Sequence, residues 1–430
     1  MEDDPIRMCE LLVGLGEVEV LGVDDDADEP LGVHVRCRAL RPPCGLCGGL
    51  LWSLGERAVV LVDLPVFGRP VRLVWHKRRW RCPQRGCGAG SVTEQNREIA
   101  PCRERLTTRA GRWATRQAGR GRAVGDIASA LGCGWHTVNA SVQRWGHALL
   151  EADTSRVSAV TALGLDETLF VRRGRYRAKA WSTSIVDVAS GQLLDIVPGR
   201  TAKEPARWLS AQPASWRQGI RWAALDLSGP YRAAFDTALP HARQVADPFH
   251  VVRLANSALD EVRRRVQNQT LGHRGHKTDP LYRARKLLLS AHERVTESGE
   301  TKLLGLLDAG DPHSEVRDAW HAKETLRGIY DIADPAEGKT TVDQLAVEFC
   351  DQSLPPEINR LGRTIWRWRT QISNWHHARV SNAATEAANN LIKRVKRAAF
   401  GFTNFDNYRI RSLLYAGKPN WALLDTLTPP

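Results

Sequence analysis

SNAATEAANNLIKRVKRAAFGFTNFDNYRIR, residues 381–411, has the pattern of an amphipathic helix running into a turn. Asn382 carries a side-chain oxygen suited to capping the first turn. Gly401 stands where a left-handed residue would end the helix. Ala384, Ala388, Leu391, Val395 and Ala398 recur at helical spacing and predict one apolar face, small enough to lie close to a sheet. The opposite face carries Glu386, Asn390, Lys393 and Arg397. A lone carboxylate near the positive end of a helix, followed by a cationic stripe, would place one metal-binding acid beside a polyanion. A solvated face with ordinary charge pairs has the same pattern, so the choice depends on the rest of the chain.

The chain has 430 residues, enough for two to four domains. Its hydrophobic fraction of 42% and charged fraction of 25% are ordinary for a water-soluble chain. No apolar run reaches the length of a membrane span, and no basic-then-apolar leader opens the chain. A cytoplasmic, nucleoid-associated protein is expected. The net charge is +13, which favours an acidic partner such as nucleic acid. Residues 1–30 hold eleven acids and one base, Arg7, so the remainder carries +23. Five of nine cysteines fall between residues 37 and 87, an odd, clustered set that points to metal ligation and not to disulfides.

Residues 1–96 read as a small β domain. Cys44 and Cys47 form a Cys-x-x-Cys knuckle in PPCGLCGG, and Cys82 and Cys87, with four residues between them, form a second knuckle in RRWRCPQRGCG. Two strand-like runs lie between them. Two thiolate pairs flanking a β meander predict a zinc ribbon holding one structural Zn²⁺. Cys37 is a spare that competes for a ligand place, with His34 and Cys102 weaker competitors. Residues 97–155 start arginine-rich, with Arg112, Arg116 and Arg120 at near-helical spacing. VGDIASALGCGWHTVNASVQRW then shows a short helix, a glycine turn and a second helix, the pattern of a helix-turn-helix. Its second helix would present Trp135, His136, Thr137 and Ser141 to a DNA groove.

Residues 156–250 change to strands: three consecutive runs with Gly-containing turns, then helix, strand, helix, strand. This predicts an α/β sheet of mixed direction. Residues 251–380 read as an all-α insertion, and residues 381–430 as the second part of the core. Asp166 sits in the first strand, in GLDET, where strand alternation sends Glu167 to the other face. Asp226 ends the strand IRWAALDL, where SGP breaks it. Two aspartates on neighbouring strands and Glu386 on a packing helix would hold a pair of Mg²⁺ ions, which clamp the attacking and leaving oxygens of a phosphodiester. Asp166 and Asp226 as plain strand terminators are the competing reading.

CGLCG and CPQRGC, GLDE, ALDLSGPYRAAF, VADPFHVVRLAN and the 381–411 run together resemble the ISL-three family of bacterial insertion-sequence transposases. The resemblance covers nearly the whole chain. It implies a ribonuclease-H-like core interrupted by the all-α insertion, preceded by the zinc ribbon and the helix-turn-helix. It implies an Asp-Asp-Glu transposase with Asp166, Asp226 and Glu386 as metal-binding acids, two catalytic Mg²⁺ ions, and Zn²⁺ on Cys44, Cys47, Cys82 and Cys87. Asp247 and His250 match another family motif and would assist the site or brace the sheet. Lys393, Arg394, Lys396 and Arg397 would hold phosphates near Glu386. The expected partners are double-stranded DNA, as terminal inverted repeats and target, and a second copy of the chain on that DNA. A DNA-binding regulator with a dead core and a nuclease without strand transfer are the alternatives.

Overall fold

The structure is a computed structural model and describes residues 2–16, 18–38 and 41–429. It divides into two compact units, residues 1–157 with 391–430, and residues 158–390.

The first unit opens with helix α1 (Pro5–Val13) and continues through strands β1 (Val18–Asp24), β2 (Leu31–Cys37), β3 (Trp52–Val66), β4 (Arg69–Arg81) and β5 (Ser91–Thr93). The sheet order is β1-β2-β4-β3, with β5 also paired to β4. Alternation along β4 buries Val71, Leu73 and Trp75, which meet Val35 of β2 in one core. The two cysteine knuckles follow β2 and β4. Helices α2 (Thr108–Gly119), α3 (Val124–Ala130) and α4 (Trp135–Ala152) come next. The fully buried Asp63 on β3 accepts the Thr107 hydroxyl at 2.6 Å and Arg109 Nε at 2.8 Å. This paired buried charge ties the sheet to the start of α2.

The second unit contains β6 (Ala162–Arg173), β7 (Ala178–Asp187), β8 (Gln192–Pro198), α5 (Lys203–Ser210), α6 (Ala214–Gly219), β9 (Trp222–Leu225), α7 (Gly229–Ala238) and β10 (Arg243–Ala246). Its sheet order is β10-β9-β6-β7-β8. β6, β7 and β8 pair antiparallel through short turns. β9 pairs parallel to β6, and β10 parallel to β9, because helices carry the chain back between them. The mixed sheet expected from the order of elements is present.

Helices α8 (Pro248–Leu271), α9 (Pro280–Leu289), α10 (Glu297–Gly310), α11 (Glu315–Gly328), α12 (Pro335–Glu348) and α13 (Pro356–Ala378) follow. They share one apolar core with the sheet, running from Leu163 and Leu225 to Ile365 and Ile372. Asn374 of α13 donates to the Gln244 carbonyl of β10 at 2.9 Å. The helical segment treated as an insertion in the sequence is thus continuous with the sheet's packing. Arg265 on α8 reaches Glu315 on α11 and Glu357 on α13, which fixes the three helices together.

Helix α14 (Ala383–Ala398) is the helix expected in 381–411. Its buried stripe is Thr385, Ala388, Asn389, Ile392 and Val395, whereas Leu391 is exposed. The buried face is therefore rotated from the predicted one and includes polar residues. Helices α15 (Phe405–Ala416) and α16 (Leu423–Thr426) end the chain. The sequence grouped residues 381–430 with the α/β core. In the structure Ile410, Leu414 and Leu424 share a core with Val138, Trp145 and Leu149 of α4. Gly146 makes that contact possible, because a Cβ there would meet Ile410 Cγ2 at 2.6 Å.

Candidate active site

β9 stops at Leu225, but β6 runs on past Gly164, its last residue paired with β9. A gap therefore opens beside β6 at the carboxyl end of the parallel strands, where α/β sheets bind ligands. Asp226 enters this gap directly after β9, and Leu227 turns the chain with a left-handed φ of 58°. Asp166 and Glu167 face it from β6. One carboxylate oxygen each from Asp166, Glu167 and Asp226 lies within 4.8 Å of the others.

Glu167 is thus part of the acid group, although alternation sends its Cβ to the opposite face. The register explains both facts. Asp166 pairs with Ser184 and Glu167 with Thr183. Ser184 lies on the α14 side, where its hydroxyl donates to Asn389 at 2.6 Å. Thr183 lies on the α7 side, 3.1 Å from the Tyr231 hydroxyl. The two acids leave β6 on opposite faces, and the missing neighbour strand lets their carboxylates meet around its edge.

Asp166 is held at both oxygens. Oδ1 accepts the Glu167 N–H at 2.8 Å, and Oδ2 accepts Asn389 Nδ2–H at 2.7 Å. Burial raises its pKa, and so does the charge of Glu167. Burial and then Asp226 raise Glu167, while burial and then Asp166 raise Asp226. His250 and Arg253 near Asp226, and Arg200 near Glu167, offset only part of the cost of gathering three desolvated acids at this spacing. Asp226 Oδ1 is a buried oxygen with no hydrogen-bond donor. An orphaned carboxylate oxygen in an all-oxygen donor set fits a hard divalent cation.

Glu386 lies outside this group and is exposed. It stands three residues before Asn389, about 4.5 Å along the helix axis. Asp247 follows β10 and caps α8, accepting Phe249 N–H at 2.8 Å. Its other oxygen accepts the backbone N–H of Asn382. His250 Nδ1 is 3.6 Å from Asp247, too long for a hydrogen bond, and that carboxylate raises the His250 pKa. Asp247 thus braces the start of α14. Gly164 lets α14 lie against β6: a Cβ there would collide with Thr385, Asn382 and Val188.

In the first unit, one sulfur each of Cys44, Cys47, Cys82 and Cys87 lies within 4.8 Å of the others. Cys44 and Cys87 are 3.7 Å apart, and Cys47 and Cys82 are 3.5 Å apart. A tetrahedral ion with sulfur at about 2.3 Å places its ligands about 3.8 Å from one another. The backbone N–H groups of Cys47 and Leu46 point at Cys44 and lower its pKa to about 6. Cys37 is buried in the apolar core with Val35 and Trp75, so it does not join the knuckles. His34 is 2.9 Å from His76 and 2.6 Å from Asp24.

The residues that the sequence pattern assigns to a helix-turn-helix divide. Trp135 and His136 are exposed at the start of α4, Thr137 is half-buried, and Ser141 is buried. Arg120 is exposed, but Arg112 and Arg116 are committed elsewhere. Arg112 donates to the Leu427 carbonyl at 2.8 Å and lies over Trp145, and Arg116 pairs with Asp425 at 2.7 Å. Sequence reasoning missed Arg103, Arg105 and Arg144. With His136, Thr137 and Glu104, which pairs with Arg144 at 2.9 Å, they line a cleft of about 300 Å³ at the start of α4. Of the cations on α14, Lys393, Arg394 and Arg397 are exposed and Lys396 is half-buried. No helix among the described residues is long and apolar enough to cross a membrane.

The second unit is a mixed α/β sheet whose strand ends gather three acids, and the first unit carries a four-thiolate cluster; each group has the donors to hold a metal ion. The family model of ISL3 transposases, described as a transposase, matches residues 163–412. The chain belongs to this family of insertion-sequence transposases. It is 26% identical over 409 residues to the transposase for insertion sequence element IS1001 of Bordetella parapertussis, covering 93% of this chain and 96% of that one. It is 29% identical over 289 residues to the transposase for IS1557 of Mycobacterium tuberculosis strain H37Rv, covering 62% of each.

Proposed function

We propose that this protein binds the terminal inverted repeats of its insertion sequence and catalyses Mg²⁺-dependent DNA strand cleavage and strand transfer. The observation that carries the reading is the gathering of Asp166, Glu167 and Asp226 around an orphaned carboxylate oxygen, in a chain of transposase family. The strand order, three antiparallel strands followed by two parallel ones, is compatible with a ribonuclease-H-like core. Asp166 and Asp226 are the metal-binding aspartates. Glu167 adds a third carboxylate from the same strand, and Glu386 joins from α14 when DNA is bound. Two Mg²⁺ ions on these acids would activate the attacking oxygen and neutralise the leaving one.

The chain's own residues do the rest. Asn389 and the Glu167 N–H orient Asp166. His250 and Arg253 supply positive charge beside Asp226. Lys393, Arg394, Lys396 and Arg397 hold phosphates, which positions DNA without reading it. The four cysteines hold one Zn²⁺, and the start of α4 enters a groove of the repeat as part of a dimer. Phosphoryl transfer needs positioning and charge neutralisation and no covalent enzyme intermediate.

The test uses purified protein, Mg²⁺, a duplex carrying the element end and a target duplex. Wild type should join end to target, and Asp166→Asn should abolish joining while leaving end binding intact. Cleavage without joining would instead make the protein a nuclease. Binding with neither activity would make it a regulator.

A further inference from the structure

We propose that Asn389 is a positioning residue that ties Asp166 to α14, so that this carboxylate is set for a cation only when the helix bearing Glu386 is seated. The inference rests on the reading of the acid group given above.

Asn389 is 1% exposed, on a buried helix stripe that also holds Thr385, Ala388, Ile392 and Val395. A buried amide is costly unless both ends are paired. Here both are. Nδ2–H donates to Asp166 Oδ2 at 2.7 Å, and Oδ1 accepts the Ser184 hydroxyl at 2.6 Å. Ser184 stands directly opposite Asp166 in the β6–β7 register. Strand, helix and neighbouring strand are thereby closed into one Asp–Asn–Ser bridge. A hydroxyl donating to Oδ1 also fixes the amide's orientation, because the flipped amide would set oxygen against carboxylate.

Asp166 Oδ1 already accepts the Glu167 N–H. Each carboxylate oxygen therefore has one donor from the protein and keeps a lone pair for a cation. Rotating the carboxylate would break two charge-assisted bonds at once. The start of α14 is pinned by Asp247 at the Asn382 N–H and by Asn382 Nδ2 at the Leu165 carbonyl, 3.2 Å away. Gly164 keeps the intervening surface clear. A helix held at Asn382 and Asn389 carries Glu386 between them. Seating α14 thus sets Asp166, and it leaves Glu386 exposed about one turn from Asn389, outside the acid group.

The experiment compares wild type, Asn389→Leu and Ser184→Ala as full-length proteins on an element-end duplex. Three quantities are measured: end affinity, maximal cleavage rate, and the Mg²⁺ concentration giving half that rate. Asn389→Leu should raise the half-saturating Mg²⁺ about tenfold or more, as loss of a residue orienting a metal ligand does. Ser184→Ala should move it the same way by less. End affinity should not change. Mn²⁺, which binds such sites in a different place in the affinity order from Mg²⁺, should restore much of the Asn389→Leu rate. Unchanged Mg²⁺ dependence with only a lower melting temperature would overturn the proposal. If Asn389→Leu does not fold, unchanged Mg²⁺ dependence in Ser184→Ala overturns it alone. Asp166→Asn is the control: if it cleaves like wild type, the acid-group reading fails. If it is inactive while both bridge variants keep wild-type Mg²⁺ dependence, only the role of Asn389 falls.

Discussion

The carboxylate that caps α8, Asp247, also accepts the backbone N–H of Asn382, 135 residues further along the chain. One side chain thus fixes where α8 and α14 begin. Burial alone would raise its pKa, but the neighbouring His250 and the bond from the Asn382 N–H outweigh that and hold it below the usual carboxylate range. A lowered value means the contribution is present at neutral pH and lost as pH falls through it. Asp247→Ala removes a cap and leaves the Asn382 N–H buried without an acceptor, a loss of about 2–4 kcal/mol. Thermal unfolding at neutral pH should show a clear drop in melting temperature, and the difference from wild type should shrink in acid.

The acid group has the opposite sign. Asp166, Glu167 and Asp226 are all raised, by burial first and by their neighbours' charge second. Raised acids favour the metal-free fold at low pH and penalise it as pH climbs through the raised values. A divalent cation cancels that penalty. Mg²⁺ or Mn²⁺ should therefore raise the melting temperature, and the increment should grow as pH rises above the ordinary carboxylate range. Asp226→Asn should itself stabilise the metal-free protein above that range and remove most of the metal-induced increment.

Arginines near the helix-turn-helix should separate by what they already hold. At the start of α4, Arg144 is already paired with Glu104 at 2.9 Å, and the cleft there is also lined by Arg103 and Arg105. Replacing Arg105 with alanine should weaken DNA binding across sequences and lower the slope of log affinity against log salt by about one. Arg116 is paired with the largely exposed Asp425, so Arg116→Ala should cost less than about 1 kcal/mol of stability. It should leave the salt slope in place. Fluorescence anisotropy across a salt series measures both.

The cysteine cluster predicts metal content. Purified protein should carry about one zinc per chain, and Cys82→Ser should lose it together with the order of both knuckles. Elemental analysis and proteolysis of the 41–90 segment check this. A folded wild-type chain without metal would exclude the ribbon assignment.

What could be read from the sequence was local. Cys44 and Cys47, and Cys82 and Cys87, declare themselves by spacing, and their meeting follows from the hairpin between them. Asp226 is marked by the SGP that stops its strand. Glu167 was hidden because alternation gives the correct Cβ direction, whereas the carboxylate's position depends on where a neighbouring strand ends. Asn389 was hidden because apolar periodicity ignores an amide buried against two partners. Arg112 and Arg116 look like a basic face until the last residues of the chain fold back onto them.

That return of the chain end has a consequence for synthesis. Trp145 and Leu149 leave the ribosome more than 250 residues before Ile410 and Leu414, which complete their packing. An elongating polypeptide therefore carries an unfinished α4 through most of translation. A nonsense mutation near codon 404 should yield not a DNA-binding competitor but a fragment whose α4 has lost its backing and which cellular proteases degrade.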